Sequence, residues 1–557
     1  MNGRAARLLV PLVLAAYFLA FGALHYGFYS RGLLMDTPVY ERYGDAIVHH
    51  GELPYRDFAV EYPPAALPVF AAPSLVARAG DFTRYREAFE ALMLLCGALA
   101  AATVGVVLSR AEASTARLVA GTLVAGLAPL ALGPVVLSRF DLWPALLSVA
   151  ALAAVLGGRP RAGAAALGVA VAAKIYPGVL LPLFVAYEWQ RAGRRAALRC
   201  LATAAACAAA WVIPFAAFAP HGVWASLSGQ ASRPLQIESL GAGFLLAAHQ
   251  AFGTGLTQIS SHGSDNLAGR VPDALAVAQG AVAALVVLAL WIAFARGPAS
   301  RERLIRYSAA VVCAFIAFDK VLSPQYLIWL IPLVPLVGGR RGIAASALFV
   351  ASLVLTQLWF PRHYLDLAYG FDVRASWLVL ARDLVLVALL LTLVWPRRAL
   401  VVPVLAAALA AVGAAAAGVS SPGALAHASV LRESGRASTC TRPASPPTLD
   451  RATVRYAVRG FENTAAHARC YALTVASTAG QSLFSAAYRD GFYPVDPTRN
   501  YLGDSGTCTD VPQHPAAVVT YEVRVPARTR FAVEVELCTS NVAAPRYALT
   551  LRASRAR

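Results

Sequence analysis

Long apolar runs alternate with short basic clusters from the start of the chain to about residue 419. Residues 8–28, 118–133, 276–295, 378–395 and 401–419 carry almost no charge. Each run approaches the ~20 residues that a helix needs to cross a bilayer. Within lipid the backbone must satisfy its own hydrogen bonds, so these runs predict helices. Positive charge gathers where the runs end: Arg4 and Arg7, Arg159 and Arg161, Arg191 to Arg199, Arg296 to Arg306, Arg340 and Arg341, Arg397 and Arg398. Basic ends of this kind mark the cytoplasmic side. The first run is long for a signal peptide and lacks a clean small-residue cleavage site, so it reads as an uncleaved first helix with the N-terminus inside.

Threading the basic loops inside gives a consistent path. After the first helix, residues 30–86 form an external loop with a membrane-dipping segment near 65–76. A helix over about 87–108 returns, another leaves as far as Leu137, and residues 142–156 come back. Two segments differ from the rest. Residues 164–184 carry Lys174-Ile-Tyr-Pro177 in their middle, and residues 308–337 carry Asp319-Lys-Val-Leu-Ser-Pro324. Each reads as two short helices that meet at an outward-facing break, tolerated where it packs in protein or lines a wet cavity. Residues 221–270 and 361–376 form two further external loops. The expected total is about 11 to 13 spans.

Beyond residue 418 the pattern changes. A stretch rich in Ser, Pro, Gly and Ala over 419–447 predicts a linker. Residues 448–557 alternate polar and apolar, as in Val519-Thr-Tyr-Glu-Val-Arg-Val525 and Phe531-Ala-Val-Glu-Val-Glu-Leu537. Period-two runs separated by turn residues predict a β-sandwich. Cys440, Cys470, Cys508 and Cys538 all fall in or beside this region. Four cysteines in a small domain on an oxidising side predict two disulfides, with three pairings open. The fold class is therefore a polytopic α-helical membrane protein: a membrane core over 1–418, a linker over 419–447, and a C-terminal extracytoplasmic β-sandwich over 448–557.

Composition sharpens this picture. Of 557 residues, 58% are hydrophobic and 14% are charged, against about 25% charged in a typical soluble domain. The formal charge of +18 lies in the topology-setting loops, which argues against a nucleic-acid partner. Among 48 basic residues only Lys174 and Lys320 are lysine, and both stand at the two breaks. A chain that uses arginine elsewhere keeps a compact point charge there, which suits a phosphate; an internal ion pair is the competing use.

Other polar residues gather on the outward side: Asp36, Tyr40, Asp45, Asp57 and Glu61 in the first loop, Arg139 and Asp141 at a hairpin, Gln236 and Glu238 in the second loop, His363 in the third. Asp36 precedes Thr-Pro and reads equally as a general base or as a helix cap. An Arg–Asp structural pair competes with a site role for Arg139 and Asp141. The first-loop acids have the chemistry to hold a divalent cation, but no metal or other cofactor is expected. There is no phosphate-binding glycine loop and no clustered His/Cys spacing.

Several runs together carry a resemblance: Asp36-x-x-Val-Tyr40, Leu53-Pro-Tyr-Arg-Asp57-Phe-Ala-Val-Glu61-Tyr-Pro-Pro64, Ser138-Arg-Phe-Asp-Leu, Ala173-Lys-Ile-Tyr-Pro, Leu235-Gln-Ile-Glu-Ser-Leu and Lys320-Val-Leu-Ser-Pro-Gln-Tyr326. Over about residues 1–400 the chain resembles the GT-C superfamily of membrane glycosyltransferases, and within it glycosyltransferase family 87, which includes polyprenyl-phosphate-mannose-dependent α-mannosyltransferases. The resemblance implies a polyprenyl-phosphate sugar donor, with mannose the expected sugar, and a glycolipid or glycan acceptor in the bacterial cell envelope. The enzyme would work on the outer face of the cytoplasmic membrane, by an inverting transfer. Asp36 maps to the expected base. By placement, Lys174, Lys320 and Arg139 would hold the donor phosphate, and Tyr40, Asp57, Glu61, Asp141, Gln236, Glu238 and His363 would line the substrate site. The C-terminal β domain lies outside the usual family pattern.

Two other classes compete. A flippase or transporter of lipid-linked glycans would also have broken helices and buried charges, but it should repeat between halves, and no repeat is visible. A membrane scaffold for the β domain is the third reading.

Overall fold

The computed structural model describes residues 3–28, 35–110, 114–395, 400–420, 426–428, 435–446, 453–478, 482–492, 498–506, 518–538 and 547–554. Two compact units emerge. One comprises Met1–Gly241, Asp273–Leu358 and Val379–Ala410; the other comprises Ala242–Pro272, Trp359–Leu378 and Ala411–Arg557. The second unit thus gathers two segments that interrupt the helical part together with the C-terminal strands.

The first unit is helical. Among the described residues of the chain, seven helices are long and apolar enough to cross a membrane, and five shorter apolar helices accompany them. The protein is a multi-pass membrane protein. Several helix starts are set by side-chain capping. Asp81 accepts from the Arg84 N–H and opens Phe82–Ser109; Ser114 and Ser300 do the same for Thr115–Leu132 and Arg301–Phe318. The first of these begins five residues before the position expected from hydrophobicity alone, because the cap lies in the polar loop. Small residues let helices approach. A Cβ on Gly168 would collide with the Ala204 carbonyl, which brings Pro160–Ala173 against Arg194–Phe218.

Both predicted breaks are present. Pro160–Ala173 stops at Lys174, whose backbone is extended, and Tyr176–Leu180 continues as a 3-10 turn before Leu181–Ala192. Pro177 has no N–H to offer the Ala173 carbonyl, so the helix cannot run on. Arg301–Phe318 stops at Asp319. The segment beyond this break departs from the expected second short helix. Pro324–Leu330 and Val334–Leu336 are 3-10 turns, almost wholly buried. Pro324, Pro332 and Pro335 remove three N–H donors within twelve residues, so no α-helical ladder forms there. Arg117 satisfies two of the stranded carbonyls, those of Pro335 and Val337.

The predicted loops are also more ordered than their polarity suggests. The first holds the helix Thr37–Val48 and the short Leu67–Ser74. Tyr40 stacks on Phe70 at 4.5 Å and meets Phe140 edge-on at 5.8 Å.

In the second unit, two antiparallel sheets share one core. The five-stranded sheet runs Ala426–Ala428, Thr453–Asn463, Thr529–Leu537, Leu483–Arg489, Tyr501–Asp504; the three-stranded sheet runs Tyr547–Ser554, Arg469–Ser477, Val518–Val525. Leu473, Val475, Tyr521, Val523, Phe531, Val533 and Val535 fill the space between them. Cys440 is bonded to Cys470, and Cys538 is also in a disulfide; Cys508 lies outside the described residues. Cys96, Cys200, Cys207 and Cys313 are free. The hairpin Thr257–Ser261/Ser264–Ala268 belongs to this unit, and its buried Asp265 takes Arg530 Nη1 at 2.8 Å.

Candidate active site

Asp36 and Asp141 each stand at a helix N-terminus, and neither caps its helix. Asp36 precedes Thr37–Val48, and Asp141 precedes Leu142–Leu156; in both, the side chain makes no capping hydrogen bond. An N-cap carboxylate ordinarily takes a backbone N–H of the first turn. Here each is turned instead toward a cation. Asp36 Oδ1 lies 3.0 Å from Arg139 Nη1, and Tyr40 donates its hydroxyl to Asp36 Oδ2 at 3.4 Å. Asp141 Oδ1 accepts from Lys174 Nζ at 2.6 Å and from Trp329 Nε1 at 2.6 Å. Asp141 is fully buried, whereas the Asp36 side chain keeps about a third of its exposure (31%). One carboxylate is sealed and the other is open.

The cations come from positions that the chain forces out of helix. Arg139 follows the four-residue helix Val135–Ser138 in extended conformation, and its Nε donates to Gln325 Oε1 at 2.7 Å. Lys174 sits at the first break. Its ammonium lies over Phe140, Trp329, Tyr326 and Tyr62 at 4.8, 5.3, 5.5 and 5.9 Å from the ring centres. Such rings hold a desolvated cation by their negative faces. Tyr176 and Tyr326 sandwich Trp329, at 3.8 and 4.2 Å, so the cage is rigid.

A second polar group lies at the other break. Gln236 Nε2 donates to Glu238 Oε2 at 2.7 Å, and the Gln236 N–H donates to the Lys320 carbonyl at 3.0 Å. That carbonyl is the one Pro324 leaves open. Gln279 Nε2 donates to the Asp319 carbonyl at 2.6 Å while its Oε1 accepts from Gly241 N–H at 2.8 Å. Gln236 and Glu238 are both buried.

The structure brings Asp36, Tyr40, Arg139, Asp141 and Lys174 into one cluster, and Gln236, Glu238 and the Lys320 backbone into another. Asp57 is elsewhere employed: Oδ2 accepts from the Leu53 N–H at 2.8 Å and Oδ1 from Arg56 Nε at 2.8 Å, closing an exposed turn. Arg56 and the Leu53 N–H hold its carboxyl below the usual range. Asp45 ties Ser74 and the Gly80 N–H to the first loop. Glu61 is at the rim, where loss of water around its carboxyl and the Asp36 charge both raise its pKa, against Arg233 and Arg42. His363 belongs to the second unit, with Nδ1 3.3 Å from Asp366.

Gln325, Trp329 and Arg382 escape the sequence reading. Gln325 is visible only as part of the Lys320–Tyr326 run. Trp329 looks like ordinary membrane filler until the Asp141 contact is known. Arg382 and Asp383 interrupt a run that otherwise looks uncharged, and an ionic pair inside a span is itself a functional signal.

Residues 60–324 match the sequence model of Glycosyltransferase family 87. The match begins after Asp36 and Tyr40 and includes Arg139, Asp141, Lys174, Gln236, Glu238 and Lys320. No curated protein matches the chain. Among solved structures, the chain is similar to ArnT from Cupriavidus metallidurans bound to undecaprenyl phosphate, at 16% identity and a TM-score of 0.39, covering 75% of this chain and 77% of that one. It is also similar to arabinosyltransferase EmbB from Mycobacterium smegmatis, at 13% identity and a TM-score of 0.33, covering 98% of this chain and 64% of that one. The family-87 match holds both lysine-bearing breaks of the helical part.

Proposed function

We propose that the protein moves a sugar, by default mannose, from a polyprenyl-phosphate donor to a lipid or glycan acceptor at the outer face of the cytoplasmic membrane. Asp36 is the base. The acceptor hydroxyl loses its proton to the Asp36 carboxylate while its oxygen attacks the anomeric carbon. The bond from that carbon to the phosphate oxygen breaks, the electron pair leaves with the polyprenyl phosphate, and the anomeric centre inverts. Phosphate leaves readily, so no strong general acid is required. Arg139 and Lys320 are the cations proposed to meet the phosphate charge as it develops. Lys174, paired with Asp141, supplies its field from behind the aromatic cage. Gln236, whose Oε1 is buried without a hydrogen-bond partner, accepts from a sugar hydroxyl. The transfer is proposed to proceed without a metal, so it should survive EDTA.

The observation that carries this reading is the Asp36 carboxylate: partly exposed, not engaged as a helix cap, and aimed at Arg139 beside a second, sealed Asp–Lys pair. The family-87 match over residues 60–324 agrees with a polyprenyl donor. The positive-inside pattern supports the outer face. The test is sugar transfer in membranes supplied with labelled polyprenyl-phosphate-mannose, comparing wild type with Asp36→Asn. Transfer by wild type and loss of at least ~100-fold in the well-expressed variant is expected for a general base. Equal transfer by both would remove Asp36 from that role.

A further inference from the structure

The apolar helix Val373–Val394 carries Arg382 and Asp383 in its middle, and neither is exposed. Charges at such a position are costly and are retained where they do something. Arg382 Nε lies 2.6 Å from Asp383 Oδ1, which balances the charge. The far end of the same guanidinium reaches out of the pair: Nη2 donates to the Glu238 carbonyl at 2.7 Å. From there the contacts are contiguous. Glu238 Oε2 accepts from Gln236 Nε2, and the Gln236 N–H donates to the Lys320 carbonyl at the second break. Gln236 Oε1 is left as a buried acceptor.

We propose that Arg382 is a positioning residue for the sugar-transfer site. It fixes the turn at 236–238 from behind, and through that turn it sets both the free Gln236 oxygen and the backbone of the Lys320 break. The planar fork explains the choice of arginine: one edge meets Asp383 while another reaches a carbonyl on a different segment, which a single ammonium cannot do. The inference rests on the reading of Gln236 and Lys320 as site residues.

The test uses the full-length protein in detergent or nanodiscs with labelled polyprenyl-phosphate-mannose, and compares Arg382→Lys, Gln236→Ala and the double variant. Arg382→Lys keeps the charge beside Asp383 and gives up the reach to Glu238. The expected result is a melting temperature near that of wild type, a fall in kcat/KM of about tenfold, mostly in KM for the donor, and a double variant no worse than Gln236→Ala alone. Loss of the coupling, with the two effects multiplying, would overturn the proposal. So would a lowered melting temperature with an unchanged KM, since that is what a purely structural charge pair gives. Donor-induced thermal stabilisation by polyprenyl phosphate is a readout that needs no turnover, and Arg382→Lys should weaken it; an unaltered shift also overturns the proposal. Asp36→Asn, run alongside, reports on the base alone. Coupling between 382 and 236 supports the positioning role whether or not that variant is active.

Discussion

The two helix breaks begin from the same sequence device, a lysine followed closely by proline inside an apolar run, yet they use it differently. At the first, the Lys174 side chain is the working part: its ammonium is paired to buried Asp141 and ringed by four aromatic side chains. At the second, the Lys320 backbone is tied down, by the Gln236 N–H on its carbonyl. The contrast teaches that a break supplies two separate resources, a charge at its corner and carbonyls that proline has orphaned. Which one the fold consumes depends on the neighbours. A buried aspartate faces the first break, and a turn with a backbone N–H to give faces the second. The first break is thereby built around a side-chain pair, and the second has its backbone tied as well.

Removing the counter-charge at the first break should have the largest effect. Asp141→Asn leaves an ammonium buried without its carboxylate. Breaking a buried pair costs about 3–5 kcal/mol, so the melting temperature of the purified protein should fall sharply and transfer should fall with it. A stable Asp141→Asn would mean that the aromatic cage alone holds Lys174. The next effect is smaller. Trp329→Phe keeps the stack on Tyr176 and Tyr326 but removes the indole N–H from Asp141. A hydrogen bond to a charged group is worth about 1.5–3 kcal/mol, and the loss should appear as reduced thermal stability. Unchanged stability would place the value of Trp329 in its stacking alone.

Lys320→Met should behave in the opposite way. The backbone contact to Gln236 survives the substitution, and a partly exposed lysine contributes about 1 kcal/mol or less through any pair it makes, so stability should stay within that range. Transfer should drop about tenfold or more if the ammonium meets the phosphate. A Lys320→Met protein that loses stability and keeps its kcat/KM would make the two breaks equivalent and erase the comparison.

Much of this is legible in the chain. The spans follow from hydrophobic run length, the breaks from lysine and proline in unbroken apolar sequence, and the sandwich from period-two strands. Asp36 is ambiguous between base and cap for a physical reason. Asp before Thr-Pro is a good N-cap, and only the position of Arg139, about a hundred residues later, turns the carboxylate away. The Lys174–Asp141 pair is equally hidden, because the sequence offers Asp141 to Lys320 as readily as to Lys174. The 3-10 course after residue 324 is written in three prolines, but hydrophobicity masks it. Arg382 is easily passed over, since a single Arg–Asp step hardly changes the average of a long apolar run. Its meaning lies in a carbonyl 144 residues away.

Glu61 offers the finest probe, because charges from the sides of both breaks act on it. Loss of water around its carboxyl raises its pKa most; Asp36 raises it further, while Arg233 and Arg42 lower it. A carboxyl whose folded pKa lies above its unfolded value of 4.5 favours the fold while it is protonated. That advantage is present below pH 4.5 and is lost as pH rises through the folded value. Glu61→Gln stays neutral throughout, so the variant should gain on wild type in melting temperature as pH climbs, from no difference below pH 4.5 to a plateau once pH has passed the folded value. The gain should be small, since the residue remains exposed to water, which screens its charge. Its dependence on the neighbours is the sharper measurement. In an Asp36→Asn background the gain should shrink, and in an Arg233→Gln background it should grow. Identical curves in all three backgrounds would show that Glu61 feels only its own desolvation, and that the charges of the two breaks do not meet at the rim.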